Sequence, residues 1–177
     1  MTDRRRFEFR YVTDGGRAPD FAETALLGTE TRTDIYLLRP VRPDLLSKLR
    51  GNKRLQVKRL LAWAGPLQYW GMPLDHAWSG TDPVMTHLLP GLPIDRGPEQ
   101  LLDTANHHND YRVITVAKKR RLFQLGDVRA EITTVRAGDR SFQTIGFEAD
   151  QAAALIAMLV RYKIADRSNR DYGKLLA

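Results

Sequence analysis

Charged side chains recur two residues apart along this chain. Arg6, Glu8 and Arg10 alternate with Phe7, Phe9 and Tyr11; Lys48 and Arg50 flank Leu49; Arg54, Gln56 and Lys58 flank Leu55 and Val57. Lys118 and Arg120 are spaced in the same way, Glu131 lies two residues before Thr133, and Glu148 lies two residues after Gly146. A period of two sends such groups to one face of an extended strand and the intervening residues to the other. Guanidinium forks and lysine point charges suit phosphate oxygens, and carboxylates are the hard ligands that a divalent cation requires. The chemistry in reach is therefore the holding of a multiply charged phosphate, with or without metal-assisted phosphoryl transfer.

Strands must position these groups. "RRFEFRYV" reads as a first strand and "TRTDIYLLRP" as a second, stopped by Pro40 and Pro43. "LLSKLR" and "RLQVKRLLAW" flank the turn "GNK" and read as a hairpin with one cationic and one apolar face. "YRVITVAKKRR", "LFQLG", "DVRAEITTV" and "RSFQTIGFEA" continue the run of strands, with turns at "LGD" and "AGDR". "APDFAETALL" reads as a short helix capped by Asp20, "GPEQLLDTANHH" as a helix with Pro98 in its first turn, and "ADQAAALIAMLVRYKIA" as an amphipathic helix. The expected buried stripe of this last helix is Ala153, Ile156, Leu159, Val160 and Ile164. Residues 64–98, rich in Pro, Gly and Trp, show no sustained period and are expected to form a long irregular connection or lid. About eight strands with few helices and short turns predict an α+β chain built on a curved antiparallel sheet or barrel. In an open sheet the charged faces would meet water. In a closed one they line a single cavity, which must hold anions because unpaired buried charge is costly.

The totals narrow the partners. The 177 residues suit a single domain, and 42% hydrophobic residues suit a folded one. A net charge of +7 favours nucleic acid, phosphorylated small molecules or polyphosphate. Cysteine is absent, which excludes disulfides and thiolate metal sites and fits a reducing cytoplasm. "MTDRRRFEFRYV" has no apolar segment of a secretory signal, and the run "AAALIAMLV" is far short of the roughly 20 residues that span a bilayer, so no membrane partner is expected. His107 and His108 adjoin without a helical or cysteine-containing ligand pattern, and Asp14-Gly15-Gly16 lacks the following Gly-Lys-Ser/Thr of a phosphate loop. Trp63, Trp70 and Trp78 are read first as packing residues and second as stacking groups.

The order of these segments resembles the CYTH-like superfamily, the triphosphate tunnel metalloenzymes. "TDIYLL", "SKLRGNKRLQVKRL", "AKKRRLF" with "VRAEITTV", "GFEAD" and "NRDYGKLL" follow one another as that family's motifs do. The resemblance implies an eight-stranded antiparallel barrel with flanking helices and a phosphate chain bound inside. It implies phosphate contacts for Arg10, Lys48, Arg50, Lys58, Lys118 and Arg120. It implies Mg²⁺ or Mn²⁺ on Glu8 and Glu148, and Glu8, Glu131 and Glu148 as catalytic carboxylates. This chain departs from the pattern at three places: Arg6 stands where a first carboxylate belongs, Thr133 at an aspartate position and Gly146 at a glutamate position. Two outcomes follow, a phosphate-chain binder and a metal-dependent triphosphatase. The rival reading is a nucleic-acid-binding module using a basic sheet surface.

Overall fold

In the computed structural model, which describes residues 4–13, 18–51, 53–77 and 87–177, the alternating segments are eight strands. They are β1 (Arg4–Val12), β2 (Leu26–Leu38), β3 (Leu45–Arg50), β4 (Arg54–Ala64), β5 (Leu67–Ala77), β6 (Arg112–Leu125), β7 (Val128–Ala137) and β8 (Arg140–Ala149). Every pairing is antiparallel, and the order β1-β5-β4-β3-β2-β6-β7-β8 closes into a barrel. Closure pairs every strand on both sides and leaves no edge.

Glycine-led turns set much of the register. Gly126-Asp127 joins the paired residues Leu125 and Val128, and Gly138-Asp139 joins Ala137 and Arg140. Both glycines have positive φ, 61° and 57°, which a tight hairpin demands at its first central position. Gly65-Pro66 joins Ala64 to Leu67 in the same manner. This last turn corrects the reading of 64–98 as a long irregular connection: its first part is strand β5, which pairs with both β4 and β1. Pro73 obscures the strand in the sequence. The β4–β5 register shifts between Val57 and Arg59, opposite that proline, and such an irregularity tolerates a residue with no amide hydrogen. The described residues of the rest of the segment include helical backbone at 87–88 and a 3-10 turn at Ile94–Arg96, while residues 78–86, including Trp78, lie outside the described residues.

The barrel is flanked by helices α1 (Gly97–His107), α2 (Ala152–Arg161) and α3 (Tyr172–Leu176). The helix expected in "APDFAETALL" is only a 3-10 turn at Glu23–Ala25, without a side-chain cap, because β2 claims the chain from Leu26 onward. Apolar packing lies largely outside the barrel wall. Phe9, Phe21 and Phe147 pack under Leu155 and Leu159 of α2, and Leu49, Val57 and Leu74 pack with Leu101 of α1. The expected stripe of α2 is rotated: Leu155, Leu159 and Ile164 are buried, whereas Ile156 and Val160 are exposed. Inside the barrel, apolar side chains crowd one end. There Tyr172, Leu175 and Leu176 of α3 pack against Leu38, Leu46, Trp70, Val116 and Val135. Asp171 caps α3, accepting from the Lys174 amide at 3.0 Å, and also accepts from Gln68 Nε2 at 2.9 Å.

Candidate functional site

The rest of the barrel interior is a cavity of about 400 Å³ lined by nine basic and six acidic side chains. Arg10, Lys48, Arg50 and Lys58 all face it, as do Lys118, Arg120, Glu8, Glu131 and Glu148. Strand parity places them there. Their neighbours Phe9, Leu49, Leu55 and Val57 are the fully buried residues of the outer packing. Phe9 and Tyr11 are covered as well, so the aromatic face of β1 is no open stacking platform.

Next to α3, Asp34 anchors a group of cations. It is fully buried, and its carboxylate accepts from Lys118 Nζ at 2.9 Å, with Arg32 Nε at 3.3 Å and Lys48 Nζ at 3.9 Å. Lys118 Nζ also donates to the Tyr36 hydroxyl at 2.6 Å and stands 3.9 Å from the centre of the Tyr172 ring. Burial opposes ionisation of Asp34, but Lys118 and Lys48 outweigh it and hold the carboxyl below its ordinary value. Asp34, shared in addition with Arg32, does not balance the two lysines. Burial brings the Lys118 ammonium down to about 8 in spite of Asp34. Lys48 is held well below the ordinary lysine value by burial and then by Lys118. Arg50, the next inward residue of β3, forms no ion pair among the described residues, and its Nε is buried without a hydrogen-bond partner. Its pKa is lowered by burial and by Arg32.

Midway along the cavity, Glu131 is shared. Its Oε1 lies 2.7 Å from Arg10 Nη1, and its Oε2 accepts from Arg120 Nη2. Burial works against this charge, yet Arg10 and Arg120 keep the carboxyl well below the ordinary range. The Arg10 guanidinium lies over Gly146, its Cα partner across β1 and β8, where a Cβ would stand 2.7 Å from Nη2. The absent side chain at position 146 thus leaves room for the arginine. Glu8 and Glu148 are Cα partners across the same strands, but each is paired with a different cation. Glu8 accepts from Lys58 Nζ, and Glu148 Oε1 is 2.5 Å from Arg6 Nη1. Arg129 and Asp150, both exposed, extend the Arg6–Glu148 pair to the surface and mark the mouth.

The sequence reading passed over Glu30, Arg32, Asp34 and Tyr36, which point inward from β2 at the same two-residue spacing, and Arg129. Arg54, grouped in sequence with Lys58, is half exposed and paired with Asp75 at 2.5 Å. Trp70 is buried and lines the cavity, while Trp63 is half exposed beneath Lys174. His108 packs edge-on against Tyr111 and close to Gly91, a packing role. Among the described residues no three His, Asp or Glu side chains are grouped to hold a metal ion. None of the described helices is long and apolar enough to cross a membrane.

No family model and no curated protein matches the sequence. Solved structures match in fold. A Pyrococcus horikoshii OT3 protein has a TM-score of 0.60 at 15% identity, covering 96% of this chain and 98% of its own. A Pyrococcus furiosus protein has a TM-score of 0.56 at 18% identity, with 96% and 99% covered. A Bacillus halodurans protein named as a candidate adenylate cyclase has a TM-score of 0.52 at 8% identity, with 93% of each chain covered. At such identities the likeness establishes architecture, and that architecture is the closed antiparallel barrel of the CYTH-like tunnel fold.

Proposed function

We propose that the barrel binds the triphosphate or polyphosphate part of a phosphorylated ligand. The observation that carries this reading is the surplus of inward cations at Lys48 and Arg50. These two side chains have donors to spare and too little negative charge beside them. A phosphate chain supplies the missing acceptors. Its charge restores the protonated form of the lysines, and its oxygens satisfy the Arg50 fork. Arg10, Lys58, Lys118 and Arg120 line the same path, held in position by their carboxylate partners. A nucleoside triphosphate is one ligand of this class, and adenylate cyclase is the activity named for the Bacillus halodurans neighbour.

The resemblance to tunnel metalloenzymes implies Mg²⁺ or Mn²⁺ on Glu8 and Glu148, with Glu131 assisting catalysis. The donor set does not fit such a centre: each of these three carboxylates is committed to a lysine or an arginine, and they are not grouped around one point. No hydrolytic step is therefore assigned to them, and binding is the function the geometry supports.

Arg50→Met tests the reading. A structural arginine would lower stability when removed, but an unpaired one held for an anion should do the reverse. Loss of charge-assisted bonds worth about 1.5–3 kcal/mol should weaken inorganic triphosphate binding by roughly ten- to a hundredfold. The ligand-free variant should melt higher than the parent. Unchanged affinity in calorimetric titration would sink the proposal. Phosphate release from triphosphates with Mg²⁺ or Mn²⁺, measured in parallel, separates binder from hydrolase.

A further inference from the structure

The carboxylates of the cavity carry one further conclusion, which rests on the phosphate-binding reading. We infer that the barrel takes the metal-free phosphate chain, that Mg²⁺ opposes binding rather than assisting it, and that the Arg6–Glu148 pair at the mouth is the element that excludes the metal.

A divalent ion needs carboxylate oxygens with lone pairs to give. Here Glu8, Glu30, Asp34, Glu131 and Glu148 are each already engaged by at least one side-chain cation. Glu131 uses one oxygen on Arg10 and the other on Arg120. Both oxygens of Glu30 face Arg32 and Arg120. Glu8 holds Lys58, and Asp34 holds Lys118 with Arg32 and Lys48 nearby. Glu148 lies near the mouth, and Arg6 Nη1 sits 2.5 Å from its Oε1, with Arg129 at 3.9 Å. A guanidinium thus occupies a carboxylate that an entering cation would meet at the mouth. A dication would have to displace side-chain cations that are covalently fixed to the wall, in a cavity with more basic than acidic groups. Chelation also removes charge from the ligand. A metal-bound triphosphate presents fewer free oxygens to Lys48 and Arg50, and it brings a hydrated cation toward them. The wall is built to supply from its own side chains the positive charge that a metal would otherwise bring.

The experiment titrates inorganic triphosphate into the protein by calorimetry, first in EDTA and then across a Mg²⁺ series at constant ionic strength. Holding ionic strength fixed separates chelation from screening. Binding in EDTA is expected. Apparent Kd should then rise as the inverse of the unchelated fraction, by about tenfold when about nine-tenths of the ligand is metal-bound, because only the free fraction is competent. Arg6→Glu removes the partner of Glu148 and adds a carboxylate beside it. In this variant, shown to be folded by its melting curve, the Mg²⁺ penalty should shrink to less than about twofold or reverse. Equal or tighter binding of the wild-type protein in Mg²⁺ overturns the inference and leaves the phosphate-binding reading intact. An undiminished penalty in folded Arg6→Glu overturns the role of Arg6. Absence of binding in both EDTA and Mg²⁺ overturns the parent reading itself.

Discussion

Asp34 is the acidic side chain that Lys118, Lys48 and Arg32 share. Its value follows from burial. At the surface such contacts would contribute little, but here removal of the partner leaves uncompensated ammonium groups in a dry wall. Asp34→Asn should destabilise the ligand-free protein by about 3–5 kcal/mol in denaturant unfolding, with triphosphate recovering part of the loss. The same lysines set a pH dependence. Lys118 titrates near 8 in the folded protein against 10.5 ordinarily. Between these values the unfolded chain binds the extra proton, so stability of the empty protein should rise with pH from about 8. The rise should end near 10, above which the unfolded chain loses phenolic protons that buried Tyr36 and Tyr172 keep. Ligand reverses the sense by holding the lysines charged. At a pH above 8, titrations in buffers of different ionisation enthalpy should therefore report proton uptake on binding.

At the scale of elements, α2 gives a direct check on packing. Leu155 is fully buried against the outer wall, while Ile156 beside it is exposed. Leu155→Ala should cost about 2–5 kcal/mol in chemical unfolding, and Ile156→Ala less than about 0.5 kcal/mol. Equal costs would contradict the observed helix face. The difference also explains what was readable in the sequence. β1, β3 and β4 were legible because cations alternate there with Phe, Leu and Val, so both faces declare themselves. β2 was only half legible: Glu30, Arg32, Asp34 and Tyr36 keep the period, but Thr29, Thr31 and Thr33 opposite them give no apolar contrast. β5 was hidden by Pro73, although Gly65-Pro66 was a turn signal of the kind that closes the other hairpins. The α2 segment is apolar nearly all round, so its buried face is chosen by the strands beneath it. The fit of Arg10 over Gly146 depends on cross-strand register, which one chain read along its length does not display.

At the scale of the whole molecule, the usual distribution of side chains is partly inverted. Apolar residues pack on the outside of the barrel under helices, and charge fills much of the inside. Closure makes this workable, since opposite charges on strands that are adjacent or one apart reach one another along the inner wall. The chemistry of the site is thus a property of the closed sheet rather than of any strand. One end of that interior is stoppered by Tyr172, Leu175 and Leu176. A linear polyphosphate cannot be threaded through such a vessel; it can only dip a terminus into it. Molar affinity should therefore level off once the chain is long enough to fill the cavity. Analytical ultracentrifugation with defined-length polyphosphates should find at most two copies of the protein per chain, one on each terminus. Additional copies loaded in proportion to length would mean that the stopper yields. With the stopper in place, a barrel that binds phosphate chains would act as a thimble for their ends, and a long polymer would offer it no more purchase than a short one.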